Sequence, residues 1–107
     1  MPTAILDDPI LTRFAAEVRA AYGDRLERIV LFGSRARGDH TPDSDYDVAV
    51  FIHEPGTLWQ ELGVLCKITR AIEEDTGAEI SPKPLLAGSY EHRTIFMGEI
   101  RRDGRDL

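Results

Sequence analysis

Gly33-Ser34-Arg35-Ala36-Arg37-Gly38-Asp39-His40-Thr41-Pro42-Asp43-Ser44-Asp45-Tyr46-Asp47 decides the fold through what stands on either side of it. Before it runs Ile29-Val30-Leu31-Phe32, and after it Val48-Ala49-Val50-Phe51-Ile52. Two apolar runs of this length, rich in β-branched residues and ending in turn chemistry, read as buried strands. The stretch leaves the tip of the first and delivers Asp45 and Asp47 onto the opening residues of the second. Side chains alternate faces along a strand, so the two carboxylates point the same way, roughly 7 Å of backbone rise apart. Acids aimed together repel one another unless positive charge sits between them, and a divalent cation is the natural candidate.

At the other end of the stretch, Gly33-Ser34 makes a turn in which the missing Cβ lets a ligand approach the backbone. Ser34 is expected to cap a short helical turn from Arg35 to Arg37, and free amides with a hydroxyl at such a turn favour phosphate. Arg35 and Arg37 add positive charge. A phosphate cradle and an acid pair on one stretch suit magnesium and a nucleoside triphosphate. Two other motifs come close. Gly33 and Gly38 have the opening spacing of a P-loop, but Asp39-His40 stands where Lys-Ser/Thr must follow. Asp43, Asp45, Asp47 and Glu54 match ligand positions of a calcium loop, but Val48 holds the position that needs glycine, and the run after it is apolar and strand-forming.

Gly33-Ser34, ten intervening residues and Asp45-x-Asp47 resemble the signature of the DNA polymerase beta-like nucleotidyltransferase superfamily. The fuller form, Gly-Ser-Arg-Ala-Arg-Gly followed by Ser44-Asp45-Tyr46-Asp47, is similar to the minimal nucleotidyltransferase (MNT) group, which includes antitoxins paired with HEPN-domain ribonuclease toxins. The resemblance implies an α/β (α+β) fold, a small mixed β-sheet flanked by helices. It implies Asp45 and Asp47 as catalytic metal ligands, and Gly33, Ser34, Arg35, Arg37 and Ser44 as the nucleotide-binding set. It also implies Mg2+, with two ions roughly 3.5–4 Å apart during the reaction, and ATP as donor. The implied act is transfer of AMP to a tyrosine of a HEPN toxin, within a hetero-oligomer. Two other functions stay open: a binding module that neutralises its partner by occlusion, and a transferase acting on a small-molecule hydroxyl.

The remainder of the chain reads as scaffold. Its 107 residues are expected to form one domain over 1–107, enough to bury roughly two-thirds of the unfolded surface. The net charge of −6 argues against binding to nucleic-acid backbone. Met1 to Leu6 has no basic, apolar leader pattern, no run reaches membrane-spanning length, and Cys66 is the only cysteine, so a cytoplasmic protein is expected, and the resemblance to MNT antitoxins implies a prokaryotic one. His40, His53 and His92 lack the spacing of a zinc site. Asp8-Pro9 opens a helix with Leu11, Phe14, Val18 and Ala21 on its buried face and Gly23 as its stop. Leu26 to Phe32 is the first strand. Thr57 caps a second helix to about Glu74, with Leu58, Leu62, Leu65, Ile68 and Ile72 buried and Gly77 ending it.

Ala78-Glu79-Ile80-Ser81 then reads as a short strand beside the one carrying the acids, ended by Pro82 and Pro84. If Ile80 packs inward, Glu79 faces the acid pair as a third catalytic and metal-binding carboxylate; the alternative is an exposed edge residue. The superfamily commonly has aspartate on such a strand, so glutamate is a departure. Ser89 is expected to cap a last helix from Tyr90 to about Arg102, with Ile95, Phe96 and Ile100 inward and Arg101 and Arg102 matching the helix dipole. Tyr46 points away from the acids and is read as structural.

Overall fold

The computed structural model describes residues 8–107; the Met1–Leu6 reading lies outside them. Helix α1 (Pro9–Tyr22) begins where the Asp8 carboxylate accepts from the Ile10 N–H at 2.9 Å, and it ends at Gly23 in a positive-φ conformation. A single 3-10 turn, Gly23–Arg25, leads into β1 (Leu26–Phe32). The signature stretch supplies α2 (Ser34–Arg37) and then the start of β2 (Tyr46–Ile52). Helix α3 (Leu58–Thr76) opens on a full capping box. Thr57 Oγ1 accepts from the Gln60 N–H, while Gln60 Oε1 accepts from the Thr57 N–H. Gly77 closes α3 in the left-handed region. Strand β3 (Ile80–Leu86), a 3-10 turn (Ser89–Glu91), helix α4 (Ile95–Asp103) and the two-residue β4 (Arg105–Asp106) complete the order.

The strands form one mixed sheet in the order β3-β2-β1-β4. Strand β1 runs antiparallel to β2 and β4, whereas β3 is parallel to β2, as a strand–helix–strand crossover requires. Helices α1 and α3 cover one face. There Phe14, Val18, Leu65 and Ile72 meet Ile29 and Leu31 of β1 and Val48, Val50 and Ile52 of β2. On the opposite face α4 packs Met97 and Ile100 over Val30, Ala49 and Phe51. Odd-numbered residues of β2 point to this second face, so Asp47 shares it with Ala49 and Phe51. Among the described residues no helix is long and apolar enough to cross a membrane.

Four local expectations are corrected. Pro82 and Pro84 do not end β3, which runs on to Leu86. The parallel ladder takes the Glu79 carbonyl (from Tyr46 N–H, 2.9 Å) and the Ala87 N–H (to the Ile52 carbonyl, 2.9 Å). Odd-numbered backbone groups of β3 therefore face β2, and the even-numbered proline nitrogens face the open edge, where no donor is needed. Ser89 starts only a 3-10 turn, and α4 begins later, capped by Thr94 Oγ1, which accepts from the Met97 N–H at 3.1 Å. That shift rotates the inner face of α4 to Met97 and Ile100, leaving Ile95 85% exposed and Phe96 41%. On α1 the buried position is Tyr22 and not Ala21, and on α3 Leu58 lies outside the core while Glu61 and Thr69 lie within it.

Candidate active site

The site is built where β1 ends beside the start of β2. Phe32 pairs with Asp47, so the next residue, Gly33, turns directly over the Asp47 side chain. Gly33 has φ 77, and a Cβ there would stand 2.5 Å from Asp47 Oδ2. Backbone conformation and space both demand glycine at this position. Gly33→Ala is expected to destabilise the fold by about 2 kcal/mol, from left-handed strain and displacement of the carboxylate. A denaturant midpoint equal to that of the parent would contradict it.

Gly33, and not Ser34, is the N-cap of α2, and its carbonyl accepts from both the Ala36 and Arg37 amides at 3.1 Å. Ser34 is thus the first helical residue, and the Ser34 and Arg35 amides are the N-terminal donors that this turn leaves without helical partners. Asp45 immediately precedes β2 and is exposed; Asp47 is half-buried. Burial raises the Asp47 carboxyl above the ordinary carboxylate range. Lys83 pulls against that, the Asp45 charge adds to it, and Arg37 again opposes it. The two acids are therefore close enough to repel, as their spacing predicts.

The two arginines part company. Arg35 turns away to fasten the loop. Its Nε donates to the Ser44 carbonyl at 2.9 Å, its Nη2 reaches the Thr41 and Pro42 carbonyls, and its guanidinium lies 4.0 Å above the Tyr46 ring. Ser44 belongs to the same fastening, since its Oγ accepts from the Thr41 N–H at 3.0 Å. Arg35 and Ser44 thus shape the loop that presents Asp45, and neither is turned toward the acids. Arg37 remains beside Asp47 and pairs with Asp39 at 3.1 Å and Asp103 at 3.3 Å. Tyr46 is structural, as expected: its hydroxyl donates to Asp8 Oδ2 at 2.8 Å. Burial and that bond push it up to about 12.

Ile80 does pack inward, yet the three-carboxylate cluster expected from it is not formed. Among the described residues no three His, Cys, Asp or Glu side chains gather as a metal site. Ser81 of β3 pairs with Asp47, while Glu79, just ahead of the strand and level with Asp45, is exposed. Lys83, two residues further on the same face, was not singled out from sequence, because only the parallel pairing brings it to Asp47. Asp45 and Asp47 fit one hard divalent cation, which takes carboxylate oxygens. The glycine opposite Asp47 keeps the carboxylate clear of a side chain.

The nucleotidyltransferase domain model matches residues 11–95 of the chain. A protein of Methanocaldococcus jannaschii named "Putative protein adenylyltransferase MJ0141" is 36% identical over 98 residues, covering 92% of this chain and 95% of that one. Among solved structures, a toxin–antitoxin with AMP-PNP is similar at TM-score 0.62 and 15% identity, over 87% of this chain and 68% of that one. A tri-AMPylated Shewanella oneidensis HEPN toxin in complex with MNT antitoxin is similar at TM-score 0.54 and 13% identity, over 91% and 70%. At such identities the likeness is one of fold.

Proposed function

The chain belongs to the nucleotidyltransferase domain family, and on that premise we propose that it is an MNT antitoxin that transfers AMP from ATP to a tyrosine of a HEPN-type toxin. The observation that carries the reading is the acid pair, Asp45 and Asp47, set against the Gly33-Ser34 bend. The family makes the chain a nucleotidyltransferase; the protein acceptor is supported by the curated relative's name and by the toxin complexes that share the fold.

Asp45 and Asp47 would hold Mg2+, which when bound neutralises the triphosphate and polarises its α-phosphorus. The Ser34 and Arg35 amides and the Ser34 hydroxyl are the chain's own donors for phosphate oxygens. Arg37 adds charge for the departing pyrophosphate. The tyrosine oxygen forms a bond to the α-phosphorus, its proton passes to water, and the α–β anhydride bond breaks with its electron pair leaving on pyrophosphate. Positioning and charge compensation supply most of the acceleration in such a transfer, so no histidine base is needed.

The test is incubation of the chain with ATP labelled at the α-phosphate, Mg2+ and a co-purifying HEPN protein. Label on a toxin tyrosine, lost with Asp45→Ala while the complex persists, is the expected result. Toxin neutralised without label, equally by the parent and by Asp45→Ala, would replace transfer with occlusion.

A further inference from the structure

A cleft of about 160 Å3 opens beside Gly33, between the end of β1 and α4, on the sheet face that Asp47 shares. One wall is Phe32, Gly33 and Arg37. The other is Phe96, Glu99 and Asp103, which steps of three and four residues place along one side of α4. The two ends differ in chemistry. At one, Phe96 stands edge-on to Phe32 with ring centroids 6.2 Å apart, and it keeps 41% of its surface exposed. At the other, Arg37 meets Asp103 at 3.3 Å. Gly33 lies between them in the chain and over the Asp47 carboxylate, so the cleft and the acid pair share a residue. Met97 and Ile100 seat α4 on the sheet, which leaves the outer part of the Phe96 ring available to a ligand.

We infer that the aromatic end of this cleft receives the adenine of the nucleotide, stacked on Phe96, with Glu99 accepting from the exocyclic amine. A nucleoside triphosphate carries an aromatic ring at one end, a polyanion at the other and the reacting phosphorus between. The cleft presents an aromatic ring, the glycine over Asp47 and a guanidinium in the same order. An apolar cavity of about 150 Å3 takes a benzene-sized ring, and the open mouth admits the rest of a purine. Stacking on an aromatic face is tolerant of which base is present, so selection falls to the polar rim. There Arg37 and Arg102 both pair with Asp103, which leaves Glu99 as the unengaged carboxylate among the described lining residues. A carboxylate only accepts, so it favours the N6 amine of adenine over the O6 carbonyl of guanine. This rests on the nucleotidyl-transfer reading and names the base-binding end of that same site.

The experiment measures binding of three ligands with Mg2+ by isothermal titration calorimetry: α,β-methylene-ATP, α,β-methylene-GTP and inorganic tripolyphosphate, which has no base. The parent is expected to bind the ATP analogue about tenfold more tightly than the GTP analogue. Phe96→Ala should weaken the ATP analogue about tenfold and leave tripolyphosphate unchanged, with Phe96→Tyr recovering most of the loss. Glu99→Gln, whose amide both donates and accepts, should bring the two analogues within about threefold of each other. Circular dichroism checks that each variant folds, and the exposed Glu99 tests the cleft should Phe96→Ala unfold. If Phe96→Ala weakens tripolyphosphate as much as the ATP analogue, or weakens neither, the stacking role is overturned. If it binds both as the parent does but raises KM for a protein acceptor, the cleft belongs to the acceptor's ring and the inference fails. Equal affinity of the parent for the two analogues removes Glu99 from base selection. Each of these results leaves transfer intact, whereas a parent that binds neither the ATP analogue nor tripolyphosphate overturns both readings.

Discussion

Asp47→Asn is expected to lower nucleotidyl transfer by about a thousandfold or more and, in the absence of metal, to make the protein more stable. Both effects have one cause. The Asp47 carboxyl is held above its ordinary range by burial, with the Asp45 charge adding to the shift, so its ionised form is costly in the folded chain. A folded-state value above the unfolded one means that the native state binds the proton more tightly. Its contribution favours folding below the ordinary carboxylate range and is lost as pH rises through the raised value. Asparagine keeps the shape without the charge. At neutral pH the variant should gain about 0.5–1 kcal/mol, a rise of roughly 2–8 °C in melting temperature. The gap to the parent should narrow as the buffer is acidified and Asp47 takes up its proton. Scanning calorimetry across pH, beside the labelled-ATP assay, measures both halves. An asparagine variant that melts below the parent at neutral pH, or that still transfers AMP, would contradict the role given to this carboxylate.

Glu61→Ala should produce the largest loss of stability, with the chemistry untouched wherever the variant remains folded. Glu61 lies on the buried side of α3, 5% exposed, and ties the 22–25 segment to the loop at Gly56. Its Oε1 accepts from the Tyr22 hydroxyl at 2.7 Å, and its Oε2 accepts from the Gly56 N–H at 2.8 Å and pairs with Arg25 at 3.0 Å. Truncation strips the Tyr22 hydroxyl and the Gly56 amide of their acceptor, at about 1–1.5 kcal/mol each. Arg25 is 44% exposed and is recovered by water, so it adds little. The expected total is about 2–4 kcal/mol, a large share of the 5–15 kcal/mol typical of a domain. A midpoint shift below 1 kcal/mol in chemical denaturation would show these bonds to be replaceable.

The same residue has a pH signature opposite to that of Asp47. Burial presses the Glu61 carboxyl upward, but the bonds from Gly56, Tyr22 and Arg25 outweigh it and leave it below the ordinary range. Its contribution is complete above the ordinary glutamate value and is lost as pH falls through the lowered one. Glu61→Gln should therefore be clearly less stable than the parent at neutral pH and approach it in strong acid. The two substitutions thus separate a site kept under electrostatic cost for function from a buried linkage kept for the fold.

Much of this molecule is settled over distances of a few residues, and that part is readable in the chain. Asp8-Pro9 starts a helix because the carboxylate reaches an amide two residues on, and Thr57 with Gln60 starts another by the reciprocal bonds of a capping box. The apolar runs 29–32 and 48–52 carry the β-branched pattern of buried strands and form them, and the turn between them brings Gly33 against Asp47. Contacts between distant segments decided the rest. Whether prolines 82 and 84 end a strand depends on which edge of β3 its partner occupies, and nothing local to them states that. Arg35 was legible as a cation near phosphate-binding chemistry, but the fold of the 39–45 loop offers its guanidinium carbonyls and an aromatic face closer at hand. Glu61 looks like an ordinary helix-surface acid until α1 and the loop at Gly56 pack around it. The composition of the site's far side turned on the parallel register of β2 and β3, which sets Ser81 opposite Asp47 and Lys83 one same-face step further on, and leaves Glu79 exposed ahead of the strand, level with Asp45. Short-range backbone chemistry chose the elements and the acid pair; long-range pairing, where a shift of one residue exchanges the two faces of a strand, chose the charge that stands opposite them.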